Sequence, residues 1–538
     1  MGSLNKGYAA WFGWPLPRFQ TVGARAASIA WVLAASLTGC ATLPDNSQRV
    51  HSSHLPDTGS TLVANLFQQE KSAHRSKSGF HLLGDGHDAF VARAVLARFA
   101  EKSIDLQYYL YHNDTTGLSL FRELKEAADR NVRVRILLDD IDLSGRDRTL
   151  ATIDSHPNIE VRVFNPFSRN TWRGLQFITG FGKVTRRMHN KSFTVDNQAT
   201  IVGGRNIGDE YFAAHPDLAF SDLDVLAVGP VVQRVSLSFD EYWNHQLAYP
   251  IALLARKNFS QDELAEKQQE VERLLADFDQ SSYREALRHS RLAAELRSGT
   301  VKFSWGRADV IYDSPDKLLN AVGDRKYMLA PQLASHFDAT KKEFTVFSAY
   351  FVPGKEGMQF FSELRKRGVR VRIMTNSLSS NDVSVVHAGY KKYRKRLLAS
   401  GVELYELKKQ LSRKERKAKK GASGSSKASL HAKSFVLDRE SLLIGSINLD
   451  PRSFYENTEI GILFESPEMA SGMAQWFDVN AEKVAYRLEL RESGEGKKLV
   501  WHELDEGKQI VHDVEPNTSL WRRFWVSLAS ILPFESQL

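Results

Sequence analysis

The chain has 538 residues, 42% of them hydrophobic and 10% aromatic, so it can bury a large core in two or more domains and is neither a disordered tail nor a fibre. Its formal charge is +8, yet residues 408–427 alone carry nine Lys or Arg against one acid, Glu415, and the remainder is electroneutral. A nucleic-acid-coating surface over the whole protein is therefore not indicated. The one cysteine, Cys40, excludes an intrachain disulfide.

At the N-terminus, Arg18 and Arg25 precede AASIAWVLAASLTG (26–39), a run too short to span a bilayer comfortably but suited to a signal-peptide core. It ends in Leu37-Thr38-Gly39-Cys40, which resembles the bacterial lipobox, whose cysteine is lipidated and becomes the mature N-terminus. The alternative is a buried cysteine of the signal region. Residues 1–40 are thus expected to be a lipoprotein-type signal peptide and 41–80, polar and Ser-rich, a tether. No later run is long enough for a transmembrane helix, so the body is expected to be anchored through Cys40, on the periplasmic side, and not threaded through a membrane.

Further along, an apolar strand IDLQYYLY (104–111) precedes GLSLFRELKEAADRNVRVRILLDD (117–140), a helix-period stretch followed by a Val-rich strand. The Asp139-Asp140 pair at its end invites a metal reading, but adjacent strand residues face opposite ways, which favours a turn. HNKSFTVD (189–196) follows, then Gly203-Gly204-Arg205-Asn206 and the strand DVLAV within SDLDVLAVGP. Residues 251–300 read as a helical connection, with Ser260-Gln261-Asp262-Glu263 as a capping box.

The same series then recurs. FTVFSAYFV (344–352) is followed by GMQFFSELRKRGVRVRIMTNS (357–377), by HAKSFVLD (431–438), identical to the first motif at five of eight positions, and by Gly445-Ser446-Ile447-Asn448. From His to Asn is 17 residues in both copies, and the first copy has three more residues in its helix region. The pattern predicts two α/β units, 81–250 and 301–480, with mainly parallel or mixed sheets flanked by helices, and an extension over 481–538. Residues 410–428, rich in Lys, Ser and Gly, predict a flexible loop that is either merely solvated or a contact for anionic lipid. Near the C-terminus Trp521, Phe524, Trp525, Leu528, Ile531 and Leu532 share one helical face, which suits either core packing or a membrane surface.

Residues two apart on a strand share a face, so His189 and Lys191 point together, as do His431 and Lys433. An imidazole beside an ammonium calls for an anion between them, and a phosphate supplies it. Asn206 and Asn448 can donate amide hydrogen bonds to the same oxygens. Two histidines with complementary protonation suit a two-step displacement at phosphorus: one attacks and forms a phosphohistidine, while the other protonates the leaving alkoxide and then deprotonates the incoming alcohol or water. Lysines and asparagines would hold the equatorial oxygens, so no metal or other cofactor is called for. A carboxylate on the second nitrogen of each histidine is expected, and Asp224 and Glu459, each opening an apolar strand after its motif, are the candidates. Asp196 and Asp438 complete the motifs with the catalytic pairs, but sit at strand ends and read as turn-forming and lysine-pairing.

The two segments resemble the HKD motifs of the phospholipase D superfamily. The likeness covers nearly the whole mature chain and is greatest to bacterial cardiolipin synthases of the C type, through IDLQYYLYHND (104–114), RRMHNKSFTVDNQATIVGGRNIGDEYF (186–212), FSDLDVLAVGPVV (220–232) and ASLHAKSFVLD (428–438), among other stretches. The resemblance implies two tandem domains related by a pseudo-two-fold axis, with the active site at their interface. It implies transfer of a phosphatidyl group from a donor phospholipid, phosphatidylethanolamine for the C type, to phosphatidylglycerol at a membrane. His189, Lys191, Asn206, His431, Lys433 and Asn448 fall on the family's phosphate site. Superfamily usage makes His189 the nucleophile and His431 the acid/base, although the symmetry of the motifs permits the exchange. The competing readings are a phospholipase D releasing phosphatidic acid, a metal-independent nuclease and a non-catalytic scaffold; no nucleic-acid partner is expected.

Overall fold

The computed structural model describes residues 43–180, 182–212, 222–255, 259–279, 290–381, 383–409, 429–494, 496–505 and 507–530. The signal segment with Cys40, the basic loop at 410–428 and the pair Ile531 and Leu532 lie outside them.

The repeat in the sequence is a repeat in space. The first sheet is built from β1 (Ser78–Leu83), β2 (Ser103–Tyr108), β3 (Arg133–Asp139), β4 (Ile159–Phe164), β5 (Ser192–Val195), β6 (Ala199–Gly203), β7 (Asp224–Val228), β8 (Ala248–Pro250) and β9 (Ser304–Gly306). The second takes β10 (Ala308–Tyr312), β11 (Glu343–Ser348), β12 (Arg370–Asn376), β13 (Glu403–Leu407), β14 (Lys433–Leu437), β15 (Ser441–Gly445), β16 (Ile460–Glu465), β17 (Ala485–Ser493), β18 (Gly496–Asp505) and β19 (Lys508–His512). The run β4-β3-β2-β5-β6-β7-β1 of one sheet has the same order as β13-β12-β11-β14-β15-β16-β10 of the other. In each, the first three strands are parallel and the rest antiparallel, so both sheets are mixed.

Every residue of β2 and of β11 is buried, as expected of strands covered on both faces. The helices Thr115–Asp129 and Gly354–Lys366 each reach the next strand through a three-residue turn whose middle residue has positive φ, Asn131 (69°) in one copy and Gly368 (82°) in the other. Two of the three extra residues of the first copy are accounted for by the helix, 15 residues against 13.

The motif hairpins explain the motif aspartates. Asp196 and Asn197 (φ 50° each), like Asp438 and Arg439 (55° and 59°), are the central residues of tight turns closed by Gln198 N to Val195 O and Glu440 N to Leu437 O, both 2.9 Å. The Asp196 carboxylate accepts from the amides of Glu101, Lys102 and Ser103, and Asp438 from those of Lys341, Lys342 and Glu343. Each clamps the start of the neighbouring central strand. Turn formation is as expected, but the bonds go to backbone amides, not to a lysine ammonium, and neither aspartate is at the motif histidines.

Residues 43–77, expected as a tether, lie against the first unit. Asn46 Nδ2 donates to the Ala248 carbonyl at 2.9 Å, His54 Nδ1 meets Asp240 at 2.6 Å, and the helices Leu62–Leu66 and Gln68–Ala73 lead into β1. Polar composition misled because these side chains pair with the body in place of water. The capping box forms as read, Ser260 N to Glu263 Oε2 at 2.9 Å and Glu263 N to Ser260 Oγ at 3.2 Å.

A large hydrophobic cluster fills each unit, and another joins them: Phe80, Val202, Leu223 and Val225 of the first pack with Ile444, Ile460, Ile462 and Phe464 of the second. Phe80 and Phe464 stack at 4.1 Å. No helix of the described residues is long and apolar enough to cross a membrane.

Candidate active site

Both motif histidines stand just before their strands, and the residue ahead of each is pinned to the end of a parallel strand. Asp139, last in β3, accepts from Met188 N at 2.9 Å and from Arg187 Nε at 2.8 Å. Asn376, last in β12, does the same work with an amide, donating to Leu430 O and accepting from Leu430 N, both at 2.9 Å. Across the unit boundary His189 N donates to Thr458 O and Thr458 N to Arg187 O, each at 2.9 Å.

The carboxylates come from the opposite unit in both cases. His189 Nδ1 lies 2.8 Å from Glu459 Oε2, and His431 Nδ1 lies 2.6 Å from Asp222 Oδ2. Glu459 meets the expectation. Asp224 does not: it is fully buried and takes Arg93 at 2.8 Å and Arg205 at 3.4 Å, a structural ion pair. The register gives the reason. Gly203 of β6 pairs with Asp224, while Gly445 of β15 pairs with Gly461, so the counterpart of Glu459 is two residues before Asp224, at Asp222. A Cβ on Gly204 would stand 2.4 Å from Asp222 Oδ1, so glycine there leaves room for this carboxylate. At the corresponding Ser446 the other unit places a hydroxyl that donates to Glu459, joined by Ser453 at 2.8 Å.

Lys191 Nζ donates back to the His189 carbonyl at 2.6 Å, and Lys433 Nζ to that of His431. Asn206 Oδ1 accepts from Leu110 N at 3.3 Å and Asn448 Oδ1 from Tyr350 N at 3.5 Å. The carbonyl end of each amide is thereby engaged, and the NH2 end is the donor left for a ligand. Tyr109 and Tyr211 set ring edges against His189 and His431 at 4.9 and 5.1 Å.

The electrostatics differ between the halves. Burial, reinforced by Lys191 and Lys433, holds His189 well below the ordinary imidazole value, and burial pushes Glu459 up to about 7. Burial and Lys433 also lower His431, while Asp222 works the other way. Burial opposes the ionisation of Asp222, but His431, Arg205 and Lys433 more than offset it and hold the carboxyl well below its usual range. Burial brings the Lys191 ammonium down to about 7. Arg452, bonded through Nη2 to Thr185 O at 2.8 Å, adds its charge to the surroundings of His189. Six predicted residues (His189, Lys191, Asn206, His431, Lys433, Asn448) and Glu459 thus converge, while Asp196, Asp438 and Asp224 lie elsewhere. Asp222, Arg452, Tyr109, Tyr211 and Ser453 carried no motif signal, Ser446 stood in the repeated segment without a role, and only strand register could have singled out Asp222.

Two lysines, two asparagines and two carboxylate-held histidines thus come together across the pseudo-two-fold boundary between the units. Residues 96–243 and 333–480 each match the family model described as "Cardiolipin synthase, PLD-like domain". Cardiolipin synthase C of Escherichia coli (strain K12) is 41% identical over 464 residues, 86% of this chain and 97% of that protein. An uncharacterized protein of Helicobacter pylori (strain ATCC 700392 / 26695) is 33% identical over 486 residues, 89% of this chain and 93% of that one. Among solved structures, the phosphatidylserine synthase of Haemophilus influenzae Rd KW20 shares the fold with a TM-score of 0.52 at 12% identity, covering 79% of this chain and 92% of that one. The chain belongs to the family of phospholipase D-like cardiolipin synthases.

Proposed function

We propose that the protein makes cardiolipin by moving a phosphatidyl group from a donor phospholipid, phosphatidylethanolamine, to a hydroxyl of phosphatidylglycerol. The observation that carries this is the pair of crossed carboxylate–histidine contacts, Glu459 to His189 and Asp222 to His431, beside a cluster of lysines and amides.

His189 attacks phosphorus through Nε2, with Nδ1 held by Glu459, and a P–N bond forms as the P–O bond to the donor head group breaks. His431 gives its proton to the departing alkoxide. It then takes the proton of the phosphatidylglycerol hydroxyl, whose oxygen attacks phosphorus and expels His189. Lys191, Lys433 and the amides of Asn206 and Asn448 hold the equatorial oxygens. The assignment follows the asymmetry of the halves. Both histidines are held below the ordinary imidazole value; at His189 burial and the two lysines suit a neutral nucleophile, whereas at His431 the Asp222 carboxylate, kept ionised, works against burial and Lys433 in favour of a proton. The Leu37-Thr38-Gly39-Cys40 sequence supports attachment to the periplasmic face of a membrane through Cys40.

The test is purified protein with phosphatidylglycerol and phosphatidylethanolamine in EDTA, read by lipid mass spectrometry. Cardiolipin is the expected product; phosphatidic acid alone would make the protein a hydrolase. With labelled donor, His431→Ala should retain label on the chain and His189→Ala should not, and label retained only by His189→Ala would reverse the two roles.

A further inference from the structure

Among the described residues two short helices turn a row of apolar side chains to solvent, one in the first unit and one in the C-terminal extension that packs on the second. In the first it is Arg173–Thr179, with Trp172 76% and Ile178 75% exposed and Phe177 beside them. In the extension it is Leu520–Ala529, with Leu520 80% and Trp521 67% exposed, and with Phe524 and Trp525 more than half exposed. The aromatic side chains of the latter pack on one another, Trp521 to Phe524 at 5.7 Å and Phe524 to Trp525 at 5.9 Å, while Val526 alone is buried, against Leu378 and Ala388.

Both helices are tied to the strand ends that hold the motif histidines. Arg173 bonds Asp140 at 2.9 Å and the Ile141 carbonyl at 3.1 Å, next to the Asp139 that pins Met188. Arg522 bonds the Asn381 carbonyl at 3.0 Å, on the loop that follows the Asn376 pinning Leu430, and Lys391 bonds Ser527 at 2.8 Å. The two patches therefore lie at corresponding ends of the two sheets, one on each side of the phosphate site. Charge around the second says what covers it. Residues 384–400 and 520–530 include Lys391, Lys392, Lys395, Arg396, Arg522 and Arg523 and not one Asp or Glu.

We propose that these two helices are the face by which the protein docks on an anionic lipid surface, seating Trp172, Ile178, Trp521, Phe524 and Trp525 among the head groups with the phosphate site turned toward them. The inference rests on the lipid-transfer reading above and adds to it the surface through which lipid is reached. Aromatic rings favour that interfacial layer and basic residues are drawn to anionic lipid, so neither patch needs a protein partner.

The experiment uses the full lipidated chain with an environment-sensitive fluorophore at Trp172→Cys or Phe524→Cys, and a control at Glu468→Cys. The control site is just beyond the end of β16 opposite Glu459 and is exposed. On vesicles of phosphatidylglycerol and phosphatidylcholine, the two helix labels should shift to the blue and be quenched by spin-labelled acyl chains, and the control should not. On phosphatidylcholine alone the quenching should fall sharply. Combining Trp521→Ala, Phe524→Ala and Trp525→Ala should lower turnover on vesicles by roughly tenfold or more and leave turnover of a short-chain monomeric phospholipid unchanged. Labels that stay in water on anionic vesicles, or equal loss on both substrates with an unaltered melting curve, would overturn the proposal. If neither substrate is turned over by the wild type while the labels are still quenched, the catalytic reading fails and the docking face stands.

Discussion

Two aspartates separated by one leucine divide the labour between chemistry and fold. Asp222→Asn keeps the shape but cannot favour the right tautomer of His431, and turnover should fall by about 10²–10⁴-fold with little change in melting temperature. Asp224→Asn removes the partner of a buried guanidinium, Arg93, and should cost about 3–5 kcal/mol of stability in denaturant melts. If Asp224→Asn folds normally and loses activity while Asp222→Asn keeps it, the register argument fails. Lys191 gives a second expectation. With its ammonium brought down to about 7 by burial, most of it is neutral at pH 8 before an anion arrives. A bound phosphoryl group raises that value, so binding of a non-hydrolysable phosphonate lipid should take up close to one proton at pH 8 and little at pH 6. Calorimetry in buffers of different ionisation enthalpy reads this uptake, and Lys191→Arg, charged throughout, should remove it.

At the scale of elements, the final segment is held through Glu515, which accepts from buried Arg394 and meets His387 at 3.1 Å. Burial opposes its ionisation, yet His387 and Arg394 keep the carboxyl well below its ordinary value of 4.5. A carboxylate with a depressed folded value contributes stability that is fully present above the unfolded value and is lost as pH falls below it. Hydrogen exchange across 515–530 should therefore quicken as pH drops from 5 toward 3, after correction for the intrinsic rate. Glu515→Ala should produce the same opening at neutral pH, at a cost of about 2 kcal/mol, because Arg394 keeps Glu406. The elements that sequence disclosed are those governed by local periodicity: the paired strands, their helices, the motif hairpins and the capping box. Residues 43–77 and the carboxylate held by His431, Asp222, stayed hidden, since the first depends on distant partners such as Asp240 and Ala248. The second depends on a pairing between strands whose spacing from the motifs differs, 33 residues from His189 to Asp222 and 28 from His431 to Glu459. The exposed aromatic face of Leu520–Ala529 was legible as a stripe, but only its packing against Leu378 and Ala388 by Val526 alone decides between core and surface.

Over the whole molecule, the cluster joining Phe80, Val202 and Val225 to Ile444, Ile462 and Phe464 is shared property of both units. Calorimetry should give one cooperative transition, and two separable ones would show that the boundary is weaker than this burial implies. The pairing of each histidine with a carboxylate of the opposite unit has a consequence in time. Ribosomes deliver His189 some 270 residues before Glu459, so the leading half leaves the tunnel with an unguided imidazole. The contact between His189 and Glu459 therefore cannot form until the chain has been made through Glu459, just ahead of β16, and the first half alone lacks it.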